Sequence, residues 1–267
     1  MTQARMIVSD INQWHGIEAD VLDVLFAEAY RSFSSMVGYD LEKDFILTNA
    51  AESSCPMVFS PQSINRDKDY YRVCLNITDA TNWGMIIYQV THMFCHAYCR
   101  YDRANVHKHH WFEEAICEAA AMCNLYHFQQ NWDSLPLARY PKINEHKERV
   151  FNYLWSVLRD VPKNIPTSAI LQFINDNITV LEVKSITRIW DQATLKNIHG
   201  VSWYLCEHVF FQDARHWKAV GYFNLWDASE DKNFISFIKN WIRYGDSHVS
   251  AIASTLGIVI FETENLH

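Results

Sequence analysis

The feature that most restricts how this chain can fold is the stretch from Asn82 to Met122, which covers most of two predicted helices. The first runs from about Thr81 to Tyr101 and repeats apolar residues at the helical period, and the second runs from Trp111 to about Gln129. A polar stripe on the first, otherwise apolar helix consists of Gln89, His92, His96 and Cys99. Such a stripe faces either water or a functional site, so this helix is expected to combine a packed face with a candidate site.

The parts of the chain on either side of this helix pair differ in their periodicity. Before it, a helix is predicted over residues 17–37, and β-branched and aromatic runs predict strands at Phe45–Thr48, Met57–Ser60 and Tyr70–Asn76. After Trp132 the predicted helices are Glu145–Arg159, Thr167–Asn175, Ser202–Phe223, Asp231–Tyr244 and Ser247–Leu256. The final residues, 257–267, fit either a short strand or a tail. The pattern predicts an α+β fold, with a mixed α/β part at residues 1–131 and a helical part at residues 132–267 that closes a cleft.

Composition limits the classes of partner and compartment. Of the 267 residues, 49% are apolar and 14% aromatic, so the chain can bury a sizeable core. The net charge of −8 argues against nucleic acid or an anionic membrane as a partner, because both attract basic surfaces. The sequence has neither an apolar run long enough for a transmembrane helix nor the pattern of a signal peptide. Seven cysteines, without the spacing of a disulfide scaffold, predict a reducing, cytoplasmic location.

The polar stripe contains two histidines, His92 and His96, at a spacing that suits metal binding. Residues four apart lie one above the other on a helix, so two imidazole nitrogens can reach one zinc ion at about 2.0–2.1 Å. With 13 histidines in the chain, such a pair alone is an ordinary coincidence, and its context has to support it. That context is a predicted strand before the helix and, on the next helix, Glu114 and Glu118 four residues apart.

Two motifs in this stretch resemble those of the zincin metallopeptidases. The matching segments are His92-Met-Phe-Cys-His96 and Trp111-Phe-Glu-Glu114-Ala-Ile-Cys-Glu118. Their counterparts in the gluzincin branch of that family are H-E-x-x-H and W-x-x-E-G-x-x-E. The resemblance implies a zincin-like fold in which His92, His96 and Glu114 bind zinc and Glu118 orients a ligating histidine. It also implies that the strand before the helix is an edge strand that lines a peptide-binding cleft. The match is close over residues 82–122 and holds in outline over the first half of the chain.

The chain departs from this family at Met93, where the family has glutamate. That glutamate takes a proton from zinc-bound water, and loss of a general base costs about 10²–10⁴-fold in rate. Glu113 is a weak candidate for a substitute base, because it lies on the other helix. The family's later transition-state donor, a histidine or tyrosine, has five candidates that the sequence does not separate: Tyr204, His208, His216, Tyr222 and His248.

Other cysteines and histidines near the motif allow two interpretations each. Cys95 and Cys99 could add to a His/Cys ligand set, but cysteine is among the most buried residue types, so core packing is preferred. His107, His109 and His110 could form a small metal cluster, but a solvated loop before the second helix is preferred.

The sequence therefore supports three functions. The leading one is a zincin-like metal-binding protein, derived from a zinc metallopeptidase with lost or much reduced activity, that binds a peptide or protein in its cleft. The second is an active metal-dependent hydrolase that uses another general base, since zinc alone lowers the pKa of bound water toward about 7. The third is a metal-free interaction protein.

Overall fold

The protein contains one small mixed sheet and many helices. The computed structural model describes residues 4–50, 56–61, 69–103, 105–145, 147–159, 161–162 and 165–258. The sheet has four strands, β1 Met6–Val8, β2 Asp44–Asn49, β3 Met57–Phe59 and β4 Tyr70–Leu75, in the order β1-β2-β4-β3. Strands β1, β2 and β4 are parallel, and β3 is antiparallel to β4. The α+β class predicted from the sequence is confirmed.

The position of β4 contradicts one expectation. The strand before the histidine helix was expected at the sheet edge, but β4 lies between β2 and β3. The edges are β1, which was not predicted from the sequence pattern, and β3. Strand β3 pairs with β4 in the register Met57↔Cys74 to Phe59↔Arg72 and so covers the side that was expected to be open. A sequence pattern locates strands but does not order them.

Most helices match the predicted elements; the differences are a short helix at Pro141–Asn144, which was not predicted, and the bounds of the helices between residues 167 and 223. The bounds of the helices are α1 Ala19–Val37, α2 Trp83–Tyr98, α3 His110–Asn131, α4 Pro141–Asn144, α5 Lys147–Val157, α6 Ile170–Thr187, α7 Gln192–Leu205, α8 Phe234–Tyr244 and α9 Ser247–Thr255. Helix α6 continues well past the predicted end at Asn175 and stops before Arg188, whose left-handed backbone has φ 53°. The predicted C-terminal strand or tail lies, from residue 259, outside the described residues.

The prediction of a single helix over Ser202–Phe223 is wrong. Helix α7 begins earlier, at Gln192, where the Asp191 side chain accepts a hydrogen bond from Thr194 N at 2.8 Å. It ends at Leu205 and is followed by a π-helical turn at Cys206–Phe210 and a 3₁₀ segment at Ala214–Tyr222. The aromatic residues of this region favour burial, and burial alone does not specify a regular α-helix.

Helix α2 is packed on nearly all sides because it lies between the sheet and other helices. Its N-terminus is capped by Asn82, whose side chain accepts a hydrogen bond from Met85 N at 3.1 Å. In its first turn, a Cβ atom on Gly84 would lie 2.5 Å from Tyr153 Cβ on α5. Glycine is therefore required at this point for α5 to approach α2 closely.

Helix α3 is the centre of the fold. It contacts α2 on one side and α5, α6 and α7 on others, and its small residues Ala119–Ala121 are fully buried. One continuous hydrophobic core joins the described residues before and after the expected boundary at 131/132. No helix in the described part of the chain combines the length and apolar character that a membrane crossing requires.

Candidate metal centre

Helices α2 and α3 bring the three predicted ligands together. The Nε2 atoms of His92 and His96 are 3.0 Å apart. The Glu114 carboxylate lies 3.3 Å from His92 Nε2 and 3.6 Å from His96 Nε2. Ligand atoms around a tetrahedral zinc ion at about 2.0–2.1 Å are separated by about 3.3 Å. The two distances to Glu114 belong to different oxygens, Oε2 and Oε1, so the three side chains converge between the two helices.

The other ring nitrogens of both histidines face carboxylates on α3. Glu118 Oε1 lies 3.3 Å from His92 Nδ1, and Glu113 Oε1 lies 2.8 Å from His96 Nδ1. Carboxylates in this position fix the orientation of a histidine ring and make its opposite nitrogen a better metal ligand.

This position of Glu113 argues against its use as a substitute base. Its Oε1 atom is at His96 Nδ1, on the opposite side of the ring from Nε2, and its Oε2 atom accepts a hydrogen bond from Asn224 at 2.9 Å. Glu113 is fully buried, and both of its oxygens already have partners that lie away from the Nε2 atoms of the histidine pair. Met93, at the family's base position, is 4% exposed and contributes a thioether that cannot take up a proton at neutral pH.

Three further side chains complete the surroundings of the site, and the sequence reasoning did not assign them there. His110 Nε2 lies 3.1 Å from Glu114 Oε1, His199 Nε2 lies 3.4 Å from Glu118 Oε2, and Asn224 binds Glu113. A signal existed for His110, because it precedes Glu114 by one helical turn. No local signal existed for His199 or Asn224, which come from distant parts of the chain.

The carboxylates control the charge of the histidine pair in the metal-free protein. Burial alone would lower the pKa of His96, but Glu114 and Glu113 raise it to about 10. Burial lowers the pKa of His92, whose partner Glu114 only partly opposes this effect. Burial also disfavours ionisation of Glu114, but His96, His110 and His92 outweigh it and hold its pKa well below the usual range. A metal ion at this site would therefore replace a proton on His96.

A group of thiols lies beside the histidines. Cys95, Cys99 and Cys117 are fully buried, and their sulfur atoms lie within 4.8 Å of one another. Ligand atoms of His92, His96 and Cys117 satisfy the same limit. Burial of Cys95 and Cys99 agrees with the core packing that was preferred, but both also belong to a group that could hold a metal ion.

The prediction that residues 107–110 form a solvated loop is wrong. His107, His109 and His110 are 4%, 0% and 8% exposed. The rings of His107 and His109 lie 5.8 and 5.2 Å from the ring of Phe237 on α8. Burial lowers the pKa of both to about 4. Nothing in the local sequence shows that α8, more than a hundred residues later, covers this segment.

Most of the five candidate donors have described partners outside the histidine pair. The Tyr204 hydroxyl donates to Thr255 O at 2.9 Å, and the Tyr222 hydroxyl donates to Asp246 at 3.3 Å. His216 and His248 face each other, with their Nδ1 atoms 3.3 Å apart, and His208 packs against Tyr204. These contacts assign none of the five to the site.

The sheet edge is connected to the histidines through Tyr101. The Tyr101 ring lies 6.2 Å from the His96 ring, and its hydroxyl donates to Val58 O on β3 at 2.5 Å. The edge strand β3 and the histidine pair therefore border the same region of the molecule.

Comparison of the chain with models of protein families, with curated proteins and with solved structures gives no match. The described residues contain buried His/Cys groups on α2 and α3 that could hold a metal ion.

Proposed function

We propose that the protein is a zincin-like metal-binding protein in which His92, His96 and Glu114 hold zinc and peptidase activity is lost or much reduced. The observation that carries this proposal is the convergence of the three ligand groups, with separations of 3.0, 3.3 and 3.6 Å. Two imidazoles and one carboxylate form a donor set that suits zinc. The carboxylates at both far nitrogens give further support, since ligating histidines usually have such partners.

Zinc bound here would supply a Lewis acid that polarises a water or a carbonyl oxygen. The residues of this chain orient the ligands through Glu113 and Glu118 and shield them by burial. They do not supply the family's base, because Met93 cannot accept a proton and Glu113 is turned away. The site thus retains metal positioning without the proton transfer that peptide hydrolysis requires.

The proposed ligand of the cleft is an extended peptide segment of a partner protein. Strand β3 is a sheet edge, Met57 on it is 39% exposed, and Tyr101 joins it to the histidine pair. A sheet edge can bind an extended peptide through its main-chain groups without a base, and here the Val58 carbonyl already accepts from Tyr101, so the other groups of β3 would pair with the peptide. A carbonyl or carboxylate of such a peptide could then approach the metal.

A second candidate, an active metal-dependent hydrolase, is favoured by one observation. His110 Nε2 lies 3.1 Å from Glu114 Oε1, beside the ligand carboxylate that faces both Nε2 atoms. An imidazole in this position could take over proton transfer. His110→Phe would then abolish hydrolysis of a peptide library by the zinc-loaded protein, whereas the leading proposal expects little or no hydrolysis and no dependence on His110.

The metal assignment is tested by elemental analysis of the full-length protein after equilibration with zinc. We expect one zinc per chain, and His92→Ala should abolish it because one of three ligands is lost. His127→Ala is the matched control, since His127 is exposed on the same helix α3, and it should retain zinc. Stoichiometric zinc in folded His92→Ala would overturn the ligand set, and a wild-type protein without zinc would favour the metal-free interaction protein.

The derivation from a peptidase is tested by Met93→Glu. If the zinc site is intact, the new carboxylate should raise peptidase activity by about 10²–10⁴-fold, the usual contribution of a general base. Met93→Gln is the control, because it has a similar shape and cannot accept the proton. A folded, zinc-loaded Met93→Glu protein without a gain over Met93→Gln would contradict the proposal.

A further inference from the structure

A second set of ligand atoms lies on the same helix pair, directly beside the histidine site, and its Cys117 has ligand-atom distances within 4.8 Å to both His92 and His96. Cys95 and Cys99 are one turn apart at the C-terminal end of α2, where Cys99 N donates to Cys95 O at 2.8 Å. Cys117 faces them from α3, and the three sulfur atoms lie within 4.8 Å of one another. All three residues are fully buried.

The spacing of these thiols fits a metal site with few adjustments. Around an ion with metal–sulfur bonds of about 2.3 Å, three sulfur atoms are separated by about 3.8–4.0 Å. Atoms already within 4.8 Å need to move by less than about 1 Å to reach that spacing. Another buried pair, Cys123 and Cys206, has its sulfur atoms 3.3 Å apart, and the described residues place no third thiol with it.

We propose that Cys95, Cys99 and Cys117 bind one soft d¹⁰ metal ion, best matched by Cu(I), separately from the ion of the histidine site. Thiolates select soft ions, and zinc prefers a fourth ligand, whereas Cu(I) accepts three sulfur ligands in a trigonal shell. Each thiol must lose its proton to become a ligand, so binding releases protons to solvent. The oxygen-rich side of the helix pair, with Glu113, Glu114 and Glu118, remains the site for the harder ion.

The test is an anaerobic titration of the full-length protein with Cu(I) against a chromophoric Cu(I) chelator. The wild-type protein should take one Cu(I) per chain from the chelator. Cys99→Ser removes a thiol that does not belong to the His92–His96–Cys117 group, and it should weaken Cu(I) binding by more than about 100-fold. Cys74→Ser and Cys123→Ser, which change buried thiols elsewhere, should bind Cu(I) as the wild type does.

Two further measurements distinguish Cu(I) binding by the three thiols from zinc binding by the histidine site. Cys99→Ser should retain its zinc, because it leaves His92, His96 and Glu114 in place. Copper-edge X-ray absorption of the wild-type complex should show three sulfur neighbours, a result that needs no variant to fold. The proposal is overturned if the chelator keeps the Cu(I), if Cys99→Ser binds it as tightly as the wild type, or if the copper neighbours are nitrogen or oxygen.

Discussion

Two pairs of buried histidines in this protein differ in their electrostatic properties, because only the first contains a member, His96, whose pKa is raised. His92 and His96 are 7% and 6% exposed, and His107 and His109 are 4% and 0% exposed. Carboxylates raise the pKa of His96 to about 10, whereas burial lowers the pKa of His107 and His109 to about 4. Similar burial thus gives either a charged or a neutral imidazole, and the neighbouring residues decide which.

The difference arises from the elements that cover each pair. Helix α3 presents Glu113, Glu114 and Glu118 to the first pair. Helix α8 presents aromatic rings to the second pair, and Phe237 contacts both of its members. His96, with close carboxylates at both ring nitrogens, can exchange a proton for a metal ion, whereas His109 stays neutral although Glu182 Oε1 lies 3.6 Å from its Nδ1.

The largest expected effect comes from removing a carboxylate from the first pair. Glu113→Leu leaves His96 Nδ1 without its buried partner and should lower the free energy of unfolding of the metal-free protein by about 3–5 kcal/mol. Chemical denaturation measures this change. Glu113→Gln, which keeps the shape and one acceptor, should lower the free energy of unfolding clearly less than Glu113→Leu. Equal losses in both variants would show that packing, rather than the charge on Glu113, stabilises this region.

A smaller effect is expected from Glu118, which faces the far nitrogen of His92. Glu118→Gln should weaken zinc binding by about 10–100-fold, because the ring loses the carboxylate that orients it. Competition with a zinc chelator measures the affinity. Glu148→Gln, an exposed change on α5, is the control. Unchanged affinity in Glu118→Gln would mean that the histidine rings are held by packing alone.

At neutral pH the smallest effect concerns the pair covered by aromatic rings, because this effect develops only as the pH falls. Because His107 and His109 stay neutral in the folded state down to about pH 4, the unfolded chain binds more protons below about pH 6.5. The free energy of unfolding should therefore decrease as the pH is lowered from about 6.5 to about 4, by up to about 1.4 kcal/mol per pH unit for each histidine.

His109→Leu should reduce this pH dependence, since leucine cannot be protonated and suits the contacts with Phe234 and Phe237. Denaturation midpoints between pH 4 and 7 provide the measurement, with the exposed change His208→Leu as the control. An unchanged slope in His109→Leu would place the origin of the pH dependence elsewhere.

The sequence was sufficient for the elements that carry their own periodicity. Helices α1, α2 and α3 and strands β2 and β4 were predicted close to their observed bounds, because apolar residues recur at one clear period in each. The helical spacings of His92 and His96, and of Glu114 and Glu118, likewise placed these side chains on definable faces.

The sequence was insufficient where a neighbour from a distant part of the chain decides the outcome. The order of the strands, the burial of residues 107–110 under α8 and the approach of His199 and Asn224 all depend on long-range packing. The irregular stretch from Cys206 to Tyr222 was also missed, because its many aromatic residues satisfy several backbone conformations equally well.

The close approach at Gly84 has a consequence for the order of events during synthesis. Helix α2 packs against α5, whose residues Lys147–Val157 leave the ribosome well after the ligands on α2 and α3. Asn224, which binds Glu113, is made later still. A nascent chain that ends at residue 131 therefore contains every predicted zinc ligand but lacks the helix and the amide that support them. The candidate site is completed only when most of the chain has emerged, although its predicted ligands are encoded in the first half.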